Sequence, residues 1–314
     1  MTPGTREANN GNWRTARRWA GFLAGIARPI VQTEWNGEPV DVAIALHARR
    51  SAVSIERLKA LRPEVPLVLV LSGTDLYRDL PASAEARRSL ELADRIVALQ
   101  EDALAHVPRE HRGKCLVIHQ SSRRLAAARK PAGRLDCVAV GHLREEKDPR
   151  TLGRAISLLD TDLPIRVRHI GAPLDPVLGR EARDLMARDA RFRWSGAIPH
   201  GLARAAIRKA HVLVHPSRME GGANVIVEAI TAGTCVVASR VSGNVGMLGR
   251  SYPGYFEAGD AQGLARLLRS LAERPSRLAA LKRACAARRS LFTPAREKRA
   301  LRLLVQGLLR RPGR

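Results

Sequence analysis

Two glutamates eight positions apart, Glu220 and Glu228, stand in the segment HPSRMEGGANVIVEAITAGTCVVAS, residues 215–239. The letters read strand, loop, helix, strand. Eight residues of helix rise about 12 Å over a little more than two turns. Two carboxylates so spaced can grip hydroxyls on two separate sugars of one extended ligand. A nucleotide sugar is such a ligand: hexose, diphosphate, ribose and base in a row. Gly221 and Gly222 fall where the loop turns into the helix, with Asn224 just behind. Glycines there let backbone N–H groups approach a ligand closely, and a helix N-terminus favours an anion. A salt-bridged helix with a glycine entry turn could carry the same glutamate spacing. The HPS strand end, the double glycine and the following AG turn favour the binding site.

These residues need a scaffold, and short apolar runs alternating with helical segments supply it. VAIAL (42–46), LVLVL (67–71), RIVAL (95–99) and CLVI (115–118) read as strands. Helices are expected over 12–27, 51–61, 83–92 and 101–107. After 121–134, which has no strand pattern and reads as a linker, the alternation restarts. LDCVAV (135–140), IRVRHI (165–170), HVLVH (211–215) and CVVAS (235–239) are strands. Helices are expected at 149–159, 178–189, 201–209 and 223–232, with three more pieces after Gly259 broken near Pro275 and Pro294. Nearly continuous apolar strands suit parallel sheets covered on both faces. Strand–helix alternation predicts an α/β fold of two doubly wound, Rossmann-like domains. The expected division is a first domain over 1–125, a second over 134–292, and a last helical piece, 293–314, returning to the first. The opening residues TPGTREANNGN read as loop, so the usual first strand of the first domain is expected to be missing.

Composition bounds the rest. The chain has 314 residues, 54 Lys+Arg against 30 Asp+Glu, and a formal charge of +24. Only seven of the cations are lysines, and the arginines spread along the whole chain. Aromatic residues make up 4%, too few for stacking platforms, so nucleic acid is not the expected partner. No stretch reaches the ~18–20 apolar residues of a membrane span, and no signal peptide is evident. The four cysteines, Cys115, Cys137, Cys235 and Cys285, form no CxxC pair, and the first three lie in apolar runs. They read as reduced core thiols of a cytoplasmic protein. His211 and His215 bracket a β-branched run, so they read as structural and not as metal ligands. Asp160 and Asp162 form a DxD pair at the bottom of the second sheet, away from the ligand face. No metal and no cofactor are expected.

The 215–239 segment resembles the donor-site signature of retaining GT-B glycosyltransferases of the family 4 type. That resemblance implies a GT-B fold, two Rossmann-like domains facing a cleft. It implies that Glu220 contacts the donor hexose and Glu228 the ribose, with Gly221, Gly222 and Asn224 in the loop around hexose and phosphates. A second element is VGHLREEKDP, residues 140–149. The family commonly has an Arg after the glycine and a Lys five positions on. Here Gly141 is followed by His142, Lys147 matches the Lys, and Arg144 stands near enough to compensate. A cation there would neutralise the β-phosphate of a leaving nucleotide diphosphate. RWSGAIPH (193–200) resembles the segment whose backbone contacts the base.

Loops of the first half are similar to one narrow branch, the selenosugar synthases of selenoneine biosynthesis. They are GNWRTARRWA (11–20), TEWNGEP (33–39), ALHARRSAVSI (45–55) and SGTDLYRDL (72–80), joined in the second half by SGNVGMLGRSYPGYFEAGD (242–260). The branch implies transfer from UDP-N-acetylglucosamine or a similar UDP-sugar to selenophosphate, with release of UDP. Selenophosphate is a small multiply charged anion and needs a basic pocket. Gly11, Asn12, Arg14, Arg49, Gly73, Thr74, Asp75 and Arg78 are the candidate acceptor residues, with Arg17, Arg18 and Arg50 nearby. His47 matches a histidine that the wider family places near the reacting sugar, so His47, Lys147 and Glu220 are the candidate catalytic residues. Ser72 stands where the wider family often has His. Two alternatives remain. One is a GT-B enzyme with a lipid or polysaccharide acceptor, touching anionic membrane through Trp13, Trp19 and Phe22. The other is a polyanion or nucleic-acid binding protein.

Overall fold

The first sheet is built from four short parallel strands in the order β1-β2-β3-β4. The computed structural model describes residues 1–4 and 11–310. The opening loop expected between Thr2 and Asn12 therefore lies partly outside the described residues, at 5–10, as do the last four residues of the expected C-terminal piece. Helix α1 (Gly11–Leu23) leads to β1 (Ala43–Leu46), α2 (Ala52–Leu61) and β2 (Leu67–Val70). A π-helical turn, Asp75–Asp79, and the one-turn α3 (Leu80–Ala82) precede α4 (Ala84–Leu92). Then come β3 (Arg95–Ala98), two 3₁₀ segments and β4 (Cys115–Val117). The helix expected to reach residue 27 ends at Leu23, because Gly25 takes a left-handed φ of 92°. The helix expected at 101–107 is a 3₁₀ segment, Glu101–His106, whose entry is capped by the Gln100 side chain. The Met1 ammonium donates to the Ile44 carbonyl at 2.7 Å, and the Leu46 N–H donates to the Met1 carbonyl at 3.1 Å. Met1 thus makes strand-like bonds along the outer edge of β1.

The second sheet has six parallel strands in the order β10-β9-β8-β5-β6-β7. It runs β5 (Leu135–Val140), α5 (Pro149–Ser157), β6 (Ile165–Ile170), α6 (Pro176–Arg188), β7 (Phe192–Trp194) and α7 (His200–Lys209). It continues β8 (Val212–His215), α8 (Asn224–Ala232), β9 (Cys235–Ser239), α9 (Ser242–Leu248), β10 (Tyr255–Phe256), α10 (Ala261–Glu273) and α11 (Pro275–Arg288). Strand β5 pairs with β6 on one side and β8 on the other, so the chain reverses its direction of sheet growth there. Open α/β sheets bind ligands beyond the carboxyl ends of the strands at such a point. The loops after β5 and β8 therefore flank the place where such a sheet takes its ligand. The last helix, α12 (Pro294–Leu309), returns to the first sheet.

The chain divides into two compact units. One comprises Met1–Ser121, Glu220–Gly222 and Phe292–Arg314; the other comprises Ser122–Met219 and Ala223–Leu291. In the first, strand alternation fills two cores. Leu67, Leu69 and Ile96 point to one face, with Ile55, Leu58 and Leu90 of α2 and α4. Val68, Val70 and Val97 point to the other, with Trp19 and Leu23 of α1 and Leu301, Val305 and Leu308 of α12. Both faces are buried, which is why these strands lack an apolar–polar alternation.

A buried carboxylate ties α12 to α1. Glu297 accepts Arg18 Nε at 2.9 Å, Trp19 Nε1 at 2.7 Å and the Ser121 N–H at 2.8 Å. This corrects two expectations. Arg18 is held by Glu297, and Trp19 is 2% exposed, so neither serves an acceptor pocket or a membrane contact as read from the sequence. No described helix is long and apolar enough to cross a membrane. The four cysteines are free. Cys115 is only half-buried, whereas Cys137, Cys235 and Cys285 are buried, which raises their thiol pKa values.

Candidate active site

In the second unit, the loop after β5 is shaped by contacts the sequence did not advertise. His169 on β6 is buried and its Nε2 stands 3.0 Å from the Gly141 carbonyl. A carbonyl only accepts, so Nε2 carries the proton. Burial pushes the His169 pKa down to about 4, so the ring is neutral at pH 7. Gly171 presses on the same loop: a Cβ there would lie 2.5 Å from the Gly141 carbonyl carbon and 2.9 Å from His142 Cα. Only glycine fits. The His142 Nδ1 accepts the Ala172 N–H at 3.0 Å. His142, standing where relatives are expected to have Arg, is thus oriented by the backbone.

Lys147 closes a 3₁₀ turn, Glu145–Lys147, and its aliphatic stem folds over Gly141, within 3.5 Å of where a Cβ would stand. Asp148 then takes a left-handed φ of 46° and caps α5. Its carboxylate accepts Thr151 Oγ1 at 2.7 Å and Arg218 Nε at 3.0 Å. The Arg218 N–H donates to the Glu146 carbonyl at 2.9 Å. Arg218 thereby laces the loop after β8 to the loop after β5. Arg144 stands 3.9 Å from Glu146, a loose pair.

Helix α8 carries Glu228 among apolar neighbours. Ile226, Val227, Ala229 and Ile230 are fully or almost fully buried, and Glu228 is 8% exposed. His200, the first residue of α7, places Nε2 2.6 Å from Glu228 Oε1. Ala223 precedes Asn224 and supplies no capping side chain, so the helix entry depends on backbone alone. The Ala223 N–H reaches Met247 Sδ at 3.1 Å. Gly233 ends the helix at a left-handed φ of 74°.

In the first unit, His47 stands just past the end of β1 with a left-handed φ of 80° and 1% exposure. Its Nδ1 accepts the Arg50 N–H at 3.3 Å, and Nε2 stands 3.0 Å from Thr74 Oγ1 and 3.7 Å from Asp79 Oδ2. Burial is the main cause that lowers its pKa. Asp75 is fully buried and organises the loop. Its carboxylate accepts the Ala48, Ser72 and Leu76 N–H groups and the Ser72 hydroxyl, so it acts on the backbone. Arg49 Nη1 and Arg78 Nε approach Asp79 Oδ1 at 3.6 and 3.3 Å, and both side chains are exposed. His47, Thr74, Asp79, Arg49 and Arg78 thus share the carboxyl end of the first sheet. Gly11, Asn12 and Arg14 lie in the first turn of α1. Glu220 is 8% exposed. A Cβ on Gly73 would lie 2.6 Å from the Gly221 nitrogen, and one on Gly222 would lie 2.6 Å from Leu99 Cβ. Close backbone approach requires these glycines, apart from any ligand.

The remaining sequence features lie elsewhere. His211 Nδ1 accepts the Asp136 N–H at 3.0 Å, and Asp160 pairs with Arg269 at 3.2 Å in a surface turn. Among the described residues, no three His, Cys, Asp or Glu side chains cluster closely enough to hold a metal ion.

Residues 120–288 match the family model described as Glycosyl transferases group 1, just over half of the chain. The chain belongs to the group 1 glycosyl transferases. Solved structures agree at the level of fold. HepE of Anabaena, solved with UDP and glucose, shares 16% identity, with a TM-score of 0.68 over 85% of this chain and 78% of that one. The sucrose-phosphate synthase of Thermosynechococcus elongatus shares 19% identity, with a TM-score of 0.70 over 85% and 73%. The pneumococcal O-GlcNAc transferase GtfA, solved with UDP and GlcNAc, shares 16% identity, with a TM-score of 0.67 over 85% and 57%. As a group 1 glycosyl transferase, this chain has the GT-B fold of two Rossmann-like α/β units. His169, Gly171, His200 and Arg218 escaped the reading by sequence motif. Gly171 left a local signal as a glycine directly after the β6 run, while Arg218 and His200 lie inside the 215–239 and 193–200 segments without having been given a role of their own.

Proposed function

We propose that the chain transfers N-acetylglucosamine, or a similar hexose, from its UDP conjugate to selenophosphate. The selenium attacks the anomeric carbon, the bond from that carbon to the β-phosphate oxygen breaks, and the electron pair leaves with UDP. One carbon–selenium bond replaces one carbon–oxygen bond, and no oxidant is needed. A selenium nucleophile is already anionic and soft, so general-base help matters little.

The donor half of this reading rests on Lys147 and Glu228, which stand on the loop after β5 and the helix after β8, the two sides of the strand-order reversal. Lys147 would meet the charge that grows on the departing diphosphate. His142 would add a hydrogen-bond donor where an arginine would add a fixed charge. Glu228 would accept from the ribose hydroxyls, and Glu220 from the hexose. UDP in the HepE and GtfA structures supports a uridine donor.

The acceptor half is carried by one observation: Arg49 and Arg78, both exposed, converge on Asp79 beside His47 and Thr74. Two guanidinium groups and a hydroxyl at a sheet's carboxyl end suit a compact phosphate-like anion. The resemblance of these loops to selenosugar synthases is what directs the reading to selenophosphate. The test is mass spectrometry after incubation with UDP-N-acetylglucosamine and selenophosphate, with thiophosphate and a simple sugar as alternative acceptors. A seleno-sugar together with free UDP is expected. UDP release with the simple sugar alone would refute the selenophosphate reading.

A further inference from the structure

We propose that His200 is a positioning residue that sets Glu228 for a ribose diol, and so makes the site select ribonucleotides over deoxyribonucleotides. This rests on the donor reading of Glu228 above. Glu228 projects from an otherwise apolar helix, NVIVEAITA, and its side chain is 11% exposed. A carboxylate that poorly solvated needs hydrogen-bond partners, and a short, strong one bears directly on its orientation. His200 supplies one from the neighbouring helix, Nε2 to Oε1 at 2.6 Å. An ionised carboxylate only accepts, so the imidazole donates. The short distance marks a charge-assisted bond, stronger than a neutral one.

Two further features favour orientation as the purpose. His200 opens α7, so the positive end of that helix lies beside the carboxylate. The His200 side chain itself is 39% exposed, so the core does not need it for filling. A carboxylate offers about four lone-pair sites, and His200 takes one of them on Oε1. Two vicinal hydroxyls can bind only if the carboxylate plane is held toward them. A glutamate has three side-chain torsions; a fixed donor at one oxygen removes most of that freedom. The 2′-hydroxyl is the group that would report the loss, because a deoxynucleotide never makes its bond.

The test is calorimetric titration of the full chain with UDP and with 2′-deoxy-UDP, for the parent, His200→Ala, His200→Gln and Glu228→Ala. The parent is expected to prefer UDP about tenfold or more, the worth of one good hydrogen bond. His200→Ala should lose most of that preference, by weakening UDP about tenfold while leaving 2′-deoxy-UDP within about twofold. His200→Gln keeps an N–H donor and should restore most of the preference. If His200→Ala weakens both nucleotides equally, or keeps the preference while Glu228→Ala abolishes it, the role of His200 is overturned and the Glu228 reading stands. A His200→Gln variant as deficient as His200→Ala would also overturn it. If Glu228→Ala keeps the preference, or the parent fails to bind UDP, the donor reading itself falls.

Discussion

Removing the Glu297 carboxylate is the sharpest test of how the first unit is held together. The side chain is completely buried, and Arg18 clasps it with Nε at 2.9 Å and Nη2 at 3.0 Å. Trp19 Nε1, the Ser121 N–H and the Ser121 hydroxyl, the last at 2.5 Å, complete its shell. Glu297→Ala leaves a guanidinium, an indole N–H and a serine without their acceptor. Breaking a buried ion pair from one side costs about 3–5 kcal/mol. The orphaned neutral donors overlap with that figure and do not add to it in full. A loss of about 4 kcal/mol is a large share of a domain stability of about 5–15 kcal/mol. With a urea slope of about 2 kcal/mol/M, the midpoint for the first unit should fall by about 2 M. Hydrogen exchange locates the effect. Protection should drop in peptides covering 11–23 and 294–309, while the strands of the second unit keep theirs. Glu297→Gln keeps one carbonyl acceptor and should fall between parent and alanine variant. A loss below about 1 kcal/mol for Glu297→Ala would refute the reasoning, since only exposed pairs are worth so little.

Three more outcomes follow from the second unit. Lys147→Ala should lower kcat about 100-fold with a smaller change in donor KM, and Glu228→Ala should raise donor KM about tenfold; steady-state kinetics separate the two, and unchanged kinetics in both would remove the site assignment. His169 is held neutral by burial, with its pKa pushed down from 6.5 to about 4. Between those values the unfolded chain binds the extra proton, so stability is complete above about pH 6.5 and falls by about 2 kcal/mol at pH 5 and about 3 kcal/mol below pH 4. His169→Asn should remove that component from urea titrations run across this range; an unchanged pH slope would argue against it. Gly171→Ala should displace the Gly141 carbonyl and raise donor KM several-fold, and an alanine variant with parental KM would show that the loop tolerates the shift.

Much of this architecture was readable as letters. LVLVL is apolar at every position and CVVAS at every position before Ser239 because their sheets are covered on both faces, and both become strands. The short strands Phe192–Trp194 and Tyr255–Phe256 were not readable. They extend β6 and β9 at the two sheet edges and owe their form to that pairing. The π-helical turn at Asp75–Asp79 follows from a buried aspartate gathering backbone donors, a tertiary cause with no periodic trace. In the candidate site, Glu228 was legible from its eight-residue spacing from Glu220 within the 215–239 segment, and Lys147 from the resemblance of the 140–149 loop to the family's. His200 was not legible, because 28 residues separate it from Glu228. The double glycine was legible as a motif, while its close approach to Gly73 and Leu99 depends on folding.

The return of α12 to the first sheet also sets an order of events on the ribosome. The face formed by Val68, Val70 and Val97 is covered by α1 and by Leu301, Val305 and Leu308. The last of these residues emerges long after Ser121 has left the tunnel. At about 5–20 residues per second, that gap is on the order of 10–40 seconds. For that interval the earlier-made sheet carries an apolar face covered by α1 alone and awaiting α12, whereas the later-made second unit runs almost uninterrupted and can close as it is made. The half of the protein synthesised first is therefore the half completed last. A nascent chain stalled before residue 294 would present the part of that valine face left open beside α1 to chaperones and to its own neighbours.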